Sequence, residues 1–119
     1  MNYMSHDRQW NVTKAVLPHM KKAKQGRIVN LSSVTGTMVA DPGETAYATT
    51  KAAVLGFTKS LAREVAPDNI TVNAILPGYV LTVWYWFTRS GNTNIIAVIL
   101  FLSRNANRSF SLIVLNRIV

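Results

Sequence analysis

The chain has 119 residues, of which 49% are apolar and 15% charged, with a formal net charge of +8 from thirteen lysines and arginines against five acids. This length bounds the chain to one compact domain, and the apolar fraction excludes a wholly disordered tail. The absence of cysteine excludes disulfides and thiolate metal sites. No acidic residue follows Asp68, yet the basic residues are scattered. The densest run, Lys21, Lys22, Lys24 and Arg27, falls where a helix is expected to end, and cations there favour the helix dipole. That reading is preferred to a phosphate-binding patch, and no nucleic-acid partner is expected. His6 and His19 have no carboxylate at metal-ligand spacing, so no metal site is expected. Met1 to Trp10 is polar and mixed, unlike a signal peptide. The longest apolar run, Ile95 to Leu102, is far short of the roughly twenty residues that span a bilayer. A cytoplasmic protein without membrane partners is the expectation.

In chain order, Trp10, Thr13, Leu17 and Met20 form one stripe of a helix, with Val12, Ala15 and Val16 beside it. Pro18 would kink it or remove one hydrogen bond, and Gly26 is expected to supply the stop. Arg27 to Leu31 reads as a short buried strand. Ser32 to Gly43 has loop composition. Thr45 to Ala66 reads as a long helix on the spacing of Ala48, Ala52, Leu55, Ala62 and Val65, and Pro67 with Asp68 ends it. Gly56 within it is expected to admit another backbone closely. Ile70 to Leu76 is a second strand, closed by Pro77-Gly78. Strands joined by a helical crossover imply a parallel α/β sheet. Beyond Leu81, Trp84 to Phe87 form an aromatic cluster without period. Asn94 to Ser103 fits a helix or a buried strand equally, and Ser109 to Val119 resembles a final strand.

The chemistry concentrates in Tyr47-Ala-Thr-Thr-Lys51. Residues four apart share a helix face, and a nearby ammonium stabilises a phenolate, so the pair is a plausible acid–base device. Alone the spacing is weak, because it recurs by chance. A strand ending in Asn30-Leu-Ser-Ser33 precedes it, and the next strand ends in Pro77-Gly78. Three segments therefore bring polar groups to one rim of one sheet, the rim where α/β sheets bind ligands. The plainer alternatives are a loop-capping Ser33, a buried aromatic Tyr47 with a satisfied hydroxyl and a solvated Lys51. Asn30 and Asn73 are expected to bond neighbouring backbone.

Gly26-Arg-Ile-Val-Asn-Leu-Ser-Ser-Val-Thr-Gly36, Tyr47-Ala-Thr-Thr-Lys-Ala-Ala53 and Ile70-Thr-Val-Asn-Ala-Ile-Leu-Pro-Gly78 together resemble the short-chain dehydrogenase/reductase family, over Trp10 to about Thr82. Val39-Ala-Asp-Pro-Gly-Glu-Thr-Ala-Tyr47 narrows the resemblance to one oxidoreductase branch. The resemblance implies a partial Rossmann-like doubly wound parallel sheet, the C-terminal half with about three strands and flanking helices. It implies a family-like catalytic half at 1–82 and a divergent segment at 83–119 within a single incomplete domain, 1–119.

The resemblance further implies NAD or NADP as cofactor, a small-molecule carbonyl or alcohol as substrate, and a homo-oligomer in the complete family. By the same resemblance the catalytic residues are Ser33, Tyr47 and Lys51. Tyr47 would be the acid in reduction and the base in oxidation. Lys51 would lower its pKa and bond the nicotinamide ribose. Ser33 would hold the substrate oxygen with Tyr47, and Ser32 would be structural. Pro77, Gly78, Val80 and Thr82 would contact the nicotinamide end of the cofactor. Ser5 falls where the family carries an active-site asparagine.

The glycines at 26, 36, 43, 56, 78 and 91 form no G-x-x-x-G-x-G turn, so an N-terminally truncated, C-terminally divergent fragment is expected. The alternative to an NAD(P)-dependent oxidoreductase is a catalytically inactive remnant, at most an oligomerising fragment. The choice between NAD and NADP stays open.

Overall fold

The computed structural model describes residues 5–78, 96–102 and 111–117, the last two stretches as backbone strands. Helix α1 covers Ser5–Ala23, strand β1 Gly26–Leu31, helix α2 Thr45–Val65, a 3-10 turn Ala66–Asp68, and strands β2, β3 and β4 Ile70–Pro77, Ile96–Leu102 and Ser111–Arg117.

Alternation along the strands decides which face is covered. In β1, Gly26, Ile28 and Asn30 are buried while Arg27, Val29 and Leu31 are exposed. In β2, Ile70, Val72, Ala74 and Leu76 are buried and their alternates half-buried. Both helices pack on this one face. Leu61, Ala62 and Val65 of α2 meet Ile28, Ile70 and Val72, with Leu17, Met20 and Phe57 against them. A second cluster joins Leu55 to Ala74 and Leu76 nearer the C-terminal ends of the strands. Each such fully buried aliphatic side chain contributes about 1.5–3 kcal/mol. The strand expected to be buried is thus covered on one side only, with Val29 61% and Leu31 54% exposed.

β1 and β2 run parallel, from Gly26 opposite Ile70 to Leu31 opposite Ile75, with α2 as the crossover between them. This is the α/β architecture expected, but the parallel arrangement stops at β2. β3 lies antiparallel to β2, with Ala74 opposite Phe101 and Pro77 opposite Val98, and β4 antiparallel to β3. The segment from 96 to 102 is therefore a strand and not a helix. Eight residues separate β3 from β4, too few for a parallel crossover, which takes a dozen or more.

Two expectations about glycine are corrected. α1 ends on Lys24, which takes the left-handed conformation at φ 50°. The Lys24 and Gln25 amides donate to the Lys21 and Met20 carbonyls, the Schellman pattern usually built on glycine. Gly26 instead opens β1 beneath Met20, whose Sδ would lie 2.7 Å from a Cβ. A Cβ on Gly56 would meet nothing within 4 Å among the described residues, and the close backbone approach falls at Gly36. Pro18 lies within α1 and faces solvent. No described helix is long and apolar enough to cross a membrane.

Lys24 also pairs with Asp68 at the foot of β2. That hydrogen bond, together with the charges of Lys24 and Lys21, holds the Asp68 carboxyl below the usual aspartate value, although desolvation opposes it.

Candidate active site

The site forms where β1 and β2 end and α2 begins. The parallel ladder runs past β1: the Ser32 amide donates to the Ile75 carbonyl at 2.9 Å and the Val34 amide to the Pro77 carbonyl at 3.1 Å. The loop after β1 is thereby tied to the end of β2 at Pro77. The same loop is tied to α2 at two further points. The Ser32 hydroxyl donates to the Lys51 carbonyl at 2.7 Å, so Ser32 holds the helix, in keeping with its structural assignment. Gly36, at φ 84°, lies so close to Ala48 that a Cβ would stand 2.2 Å from its carbonyl oxygen.

These ties place Ser33 beside the first turns of α2. Its side chain is buried, 7% exposed, and its Oγ accepts the Thr35 amide at 3.2 Å. The loop-capping role is therefore real. It uses one acceptor position of a hydroxyl that has two, and leaves the O–H proton to donate elsewhere. The Thr37 hydroxyl donates back to the Ser33 carbonyl at 2.8 Å and stiffens the turn.

One turn apart on α2, Tyr47 and Lys51 share a face. The Lys51 Nζ lies 5.7 Å from the centroid of the Tyr47 ring, within cation–π range. Nζ also donates to the Leu31 carbonyl at 3.1 Å, so the ammonium is anchored to the end of β1 and is not a freely solvated helix cation. Both side chains are half-buried. The structure thus brings a phenol, an ammonium and a serine-bearing loop to one rim of the sheet. Chemically this is a proton donor and acceptor beside a fixed positive charge. Pro77 and Gly78 border it, whereas Val80 and Thr82 lie outside the described residues, as does the side chain of Ser5.

Asn30 is tied to α2 two turns beyond Lys51. Its Nδ2 donates to the Thr58 hydroxyl at 2.9 Å, both groups being buried. The partner is a side chain on α2 and not neighbouring backbone as expected. Sequence reasoning also passed over Gln9, whose Nε2 donates to the same Leu31 carbonyl at 3.3 Å. No motif pointed to it. A groove of about 250 Å³ between α1 and α2, lined by Trp10, Leu17 and Phe57 among others, includes none of Ser33, Tyr47 and Lys51. Among the described residues no cluster of His, Asp or Glu could hold a metal ion.

A strand, a helical crossover and a parallel strand, with polar groups gathered at their C-terminal rim, form part of a Rossmann-like α/β sheet. The profile of the short chain dehydrogenases matches residues 8–92, and the chain belongs to that family. It is 73% identical over 73 residues to the oxidoreductase UcpA of Salmonella typhimurium, a match covering 61% of this chain and 28% of that protein. It is 52% identical over 73 residues to the 3-oxoacyl-[acyl-carrier-protein] reductase FabG of Vibrio harveyi, covering 61% and 30%. Among solved structures, NAD+-bound xylitol dehydrogenase matches with a TM-score of 0.60 and 42% identity, over 65% of this chain and 29% of that one. A gluconate 5-dehydrogenase from Burkholderia cenocepacia, in complex with NADP and tartrate, matches with a TM-score of 0.59 and 38% identity, over 62% and 29%. The chain spans less than a third of the length of these relatives.

Proposed function

We propose that these residues form the proton-transfer corner of an NAD(P)-dependent oxidoreductase, acting between a nicotinamide cofactor and a small carbonyl or alcohol. The observation that carries this reading is the anchoring of Lys51 to Leu31 beside the Tyr47 ring. Tyr47 gives its Oη proton to the substrate oxygen in reduction and takes it back in oxidation. Lys51 stabilises negative charge that develops on Oη as the proton leaves. Ser33 donates its hydroxyl proton to the same substrate oxygen and fixes its position.

The residues fit one end of the cofactor. The Lys51 ammonium carries three donors and gives one to Leu31, a set suited to a ribose diol, and Pro77-Gly78 would line the nicotinamide ring. When bound, the nicotinamide supplies or accepts the hydride. The 119 residues contain no glycine-rich turn for the pyrophosphate. The competing reading is a catalytically inactive remnant.

A graft separates the two readings. Residues 10–82 of this chain replace the corresponding segment of a full-length relative, and oxidation of NADH and NADPH by small carbonyl compounds is followed at steady state. The proposal expects turnover that Tyr47→Phe lowers by at least about a hundredfold. A folded graft without turnover, or with turnover indifferent to Tyr47→Phe, supports the remnant.

A further inference from the structure

The Leu31 carbonyl closes β1 and accepts two side-chain donors at once, Lys51 Nζ at 3.1 Å from α2 and Gln9 Nε2 at 3.3 Å from α1. A carbonyl oxygen has two lone pairs, so these donors fill it. The orientation of the Gln9 amide follows from this arrangement, because its oxygen cannot face another acceptor. The consequence is a buried Gln9 Oε1 that finds no hydrogen-bond partner among the described residues. Such an orphaned acceptor carries a desolvation penalty. If Gln9 served only to pack α1 against the sheet, an apolar side chain of the same length would do so without that penalty.

The Leu31 carbonyl lies at the free end and edge of β1 among the described strands. Leu31 is the last residue of β1, its side chain is 54% exposed, and β1 pairs with β2 alone among the described strands. A second donor from a separate helix fixes the peptide plane that the lysine uses as its anchor.

We propose that Gln9 is a positioning residue for Lys51: its amide pins the Leu31 carbonyl, and through it the ammonium beside Tyr47. The role rests on the oxidoreductase reading for its catalytic meaning, but the contact itself is measurable without turnover. Gln9 thereby links α1 to the chemistry of α2, although no reacting group touches it.

The test is Gln9→Met, which keeps the length of the side chain and removes both polar atoms. Amine acetylation by limiting acetic anhydride is read lysine by lysine by mass spectrometry in the wild-type chain and the variant. Exposed Lys14 and Lys22 serve as internal references, and urea unfolding reports stability. The proposal expects Lys51 to be acetylated several-fold faster in Gln9→Met, the references to be unchanged, and the urea midpoint to be equal or higher. A Lys51 rate equal to wild type in a folded variant overturns it. Should Gln9→Met unfold, Gln9→Leu is read in the same way, since its apolar side chain offers no N–H to Leu31 and no charge to Lys51. An equal rate there overturns the proposal too. Faster labelling of Lys51 in a protein whose graft shows no turnover would leave the positioning intact and remove only the oxidoreductase reading.

Discussion

Gly36 and Ala48 touch backbone to backbone, and this contact seats the serine loop against the helix that carries Tyr47. A Cβ on residue 36 would stand 2.2 Å from the Ala48 carbonyl oxygen and 2.7 Å from its Cα, at a φ of 84° that side chains disfavour. Neither atom belongs to a flexible side chain, so the helix or the loop must move.

Gly36→Ala is therefore expected to destabilise the chain by about 3 kcal/mol, in the range of strained core substitutions. Two other glycines calibrate the effect. Gly43, at φ 83° with nothing within 4 Å, has strain without a clash, and Gly43→Ala should cost about 1 kcal/mol. Gly56 lies in α2 with open space around it, and Gly56→Ala should stabilise by roughly 0.5–1 kcal/mol. Urea midpoints of the three variants check the order, and a Gly36→Ala midpoint above that of Gly43→Ala contradicts the contact.

The Asn30–Thr58 bond is the polar link between β1 and α2 inside the core. Thr58 also donates to the Val54 carbonyl at 2.8 Å, so its hydroxyl serves as acceptor and donor together. Thr58→Val removes it at nearly constant volume and strands the Asn30 amide, at a cost of about 1–3 kcal/mol. Combining it with Asn30→Leu should recover part of that loss. A double-mutant cycle by urea unfolding measures the coupling, and a coupling of zero contradicts the bond.

Asp68 sets a pH dependence. Its folded pKa is depressed by the Lys24 hydrogen bond and by the Lys24 and Lys21 charges. The unfolded chain therefore binds the proton more readily. The contribution is present above the ordinary aspartate pKa of about 4 and is lost as pH falls through the lower folded value. Asp68→Asn should accordingly lower Tm at pH 7 and leave it unchanged at the acid end of that window. Thermal melts across pH 2–7 check this, and a difference constant with pH contradicts it.

Lys24→Gly tests the helix stop at the same corner. The left-handed φ of Lys24 favours glycine by about 1 kcal/mol, and an exposed ion pair offsets little of that. The variant should gain stability at pH 7, and the effect of Asp68→Asn should shrink in its background, where Lys21 alone acts on the carboxylate.

The parallel β1–α2–β2 unit and the meeting of Tyr47 with Lys51 were legible in the sequence, because helical and strand periods there are undiluted and the i,i+4 spacing fixes a shared face. Ser33 was legible through its place at the end of β1. Its loop-capping bond was foreseen as an alternative, but the choice of the Thr35 amide as donor was not, since that depends on dihedrals that no spacing encodes. The stop of α1 was misplaced because Lys24 adopts a conformation that composition assigns to glycine. Asn30 was misread because its partner lies 28 residues away, on a face that only packing brings into register. β3 was ambiguous between helix and strand because an unbroken apolar run carries no period, whereas β4 was read as a strand; their antiparallel pairing was not legible, because it depends on packing. Gln9 carried no signal, since its role arises from a carbonyl shared across two helices.

The proposed function requires Ser33, Tyr47 and Lys51 to meet at the nicotinamide end of a bound dinucleotide. Titration of the 15N-labelled chain with nicotinamide mononucleotide, which lacks the adenylate half, tests it most directly by NMR. The account predicts saturable shifts confined to the amides of residues 33–36, 47–51 and 78, weakened by Lys51→Ala in a folded chain. Shifts absent from these amides, or confined to the basic run Lys21 to Arg27, would contradict it.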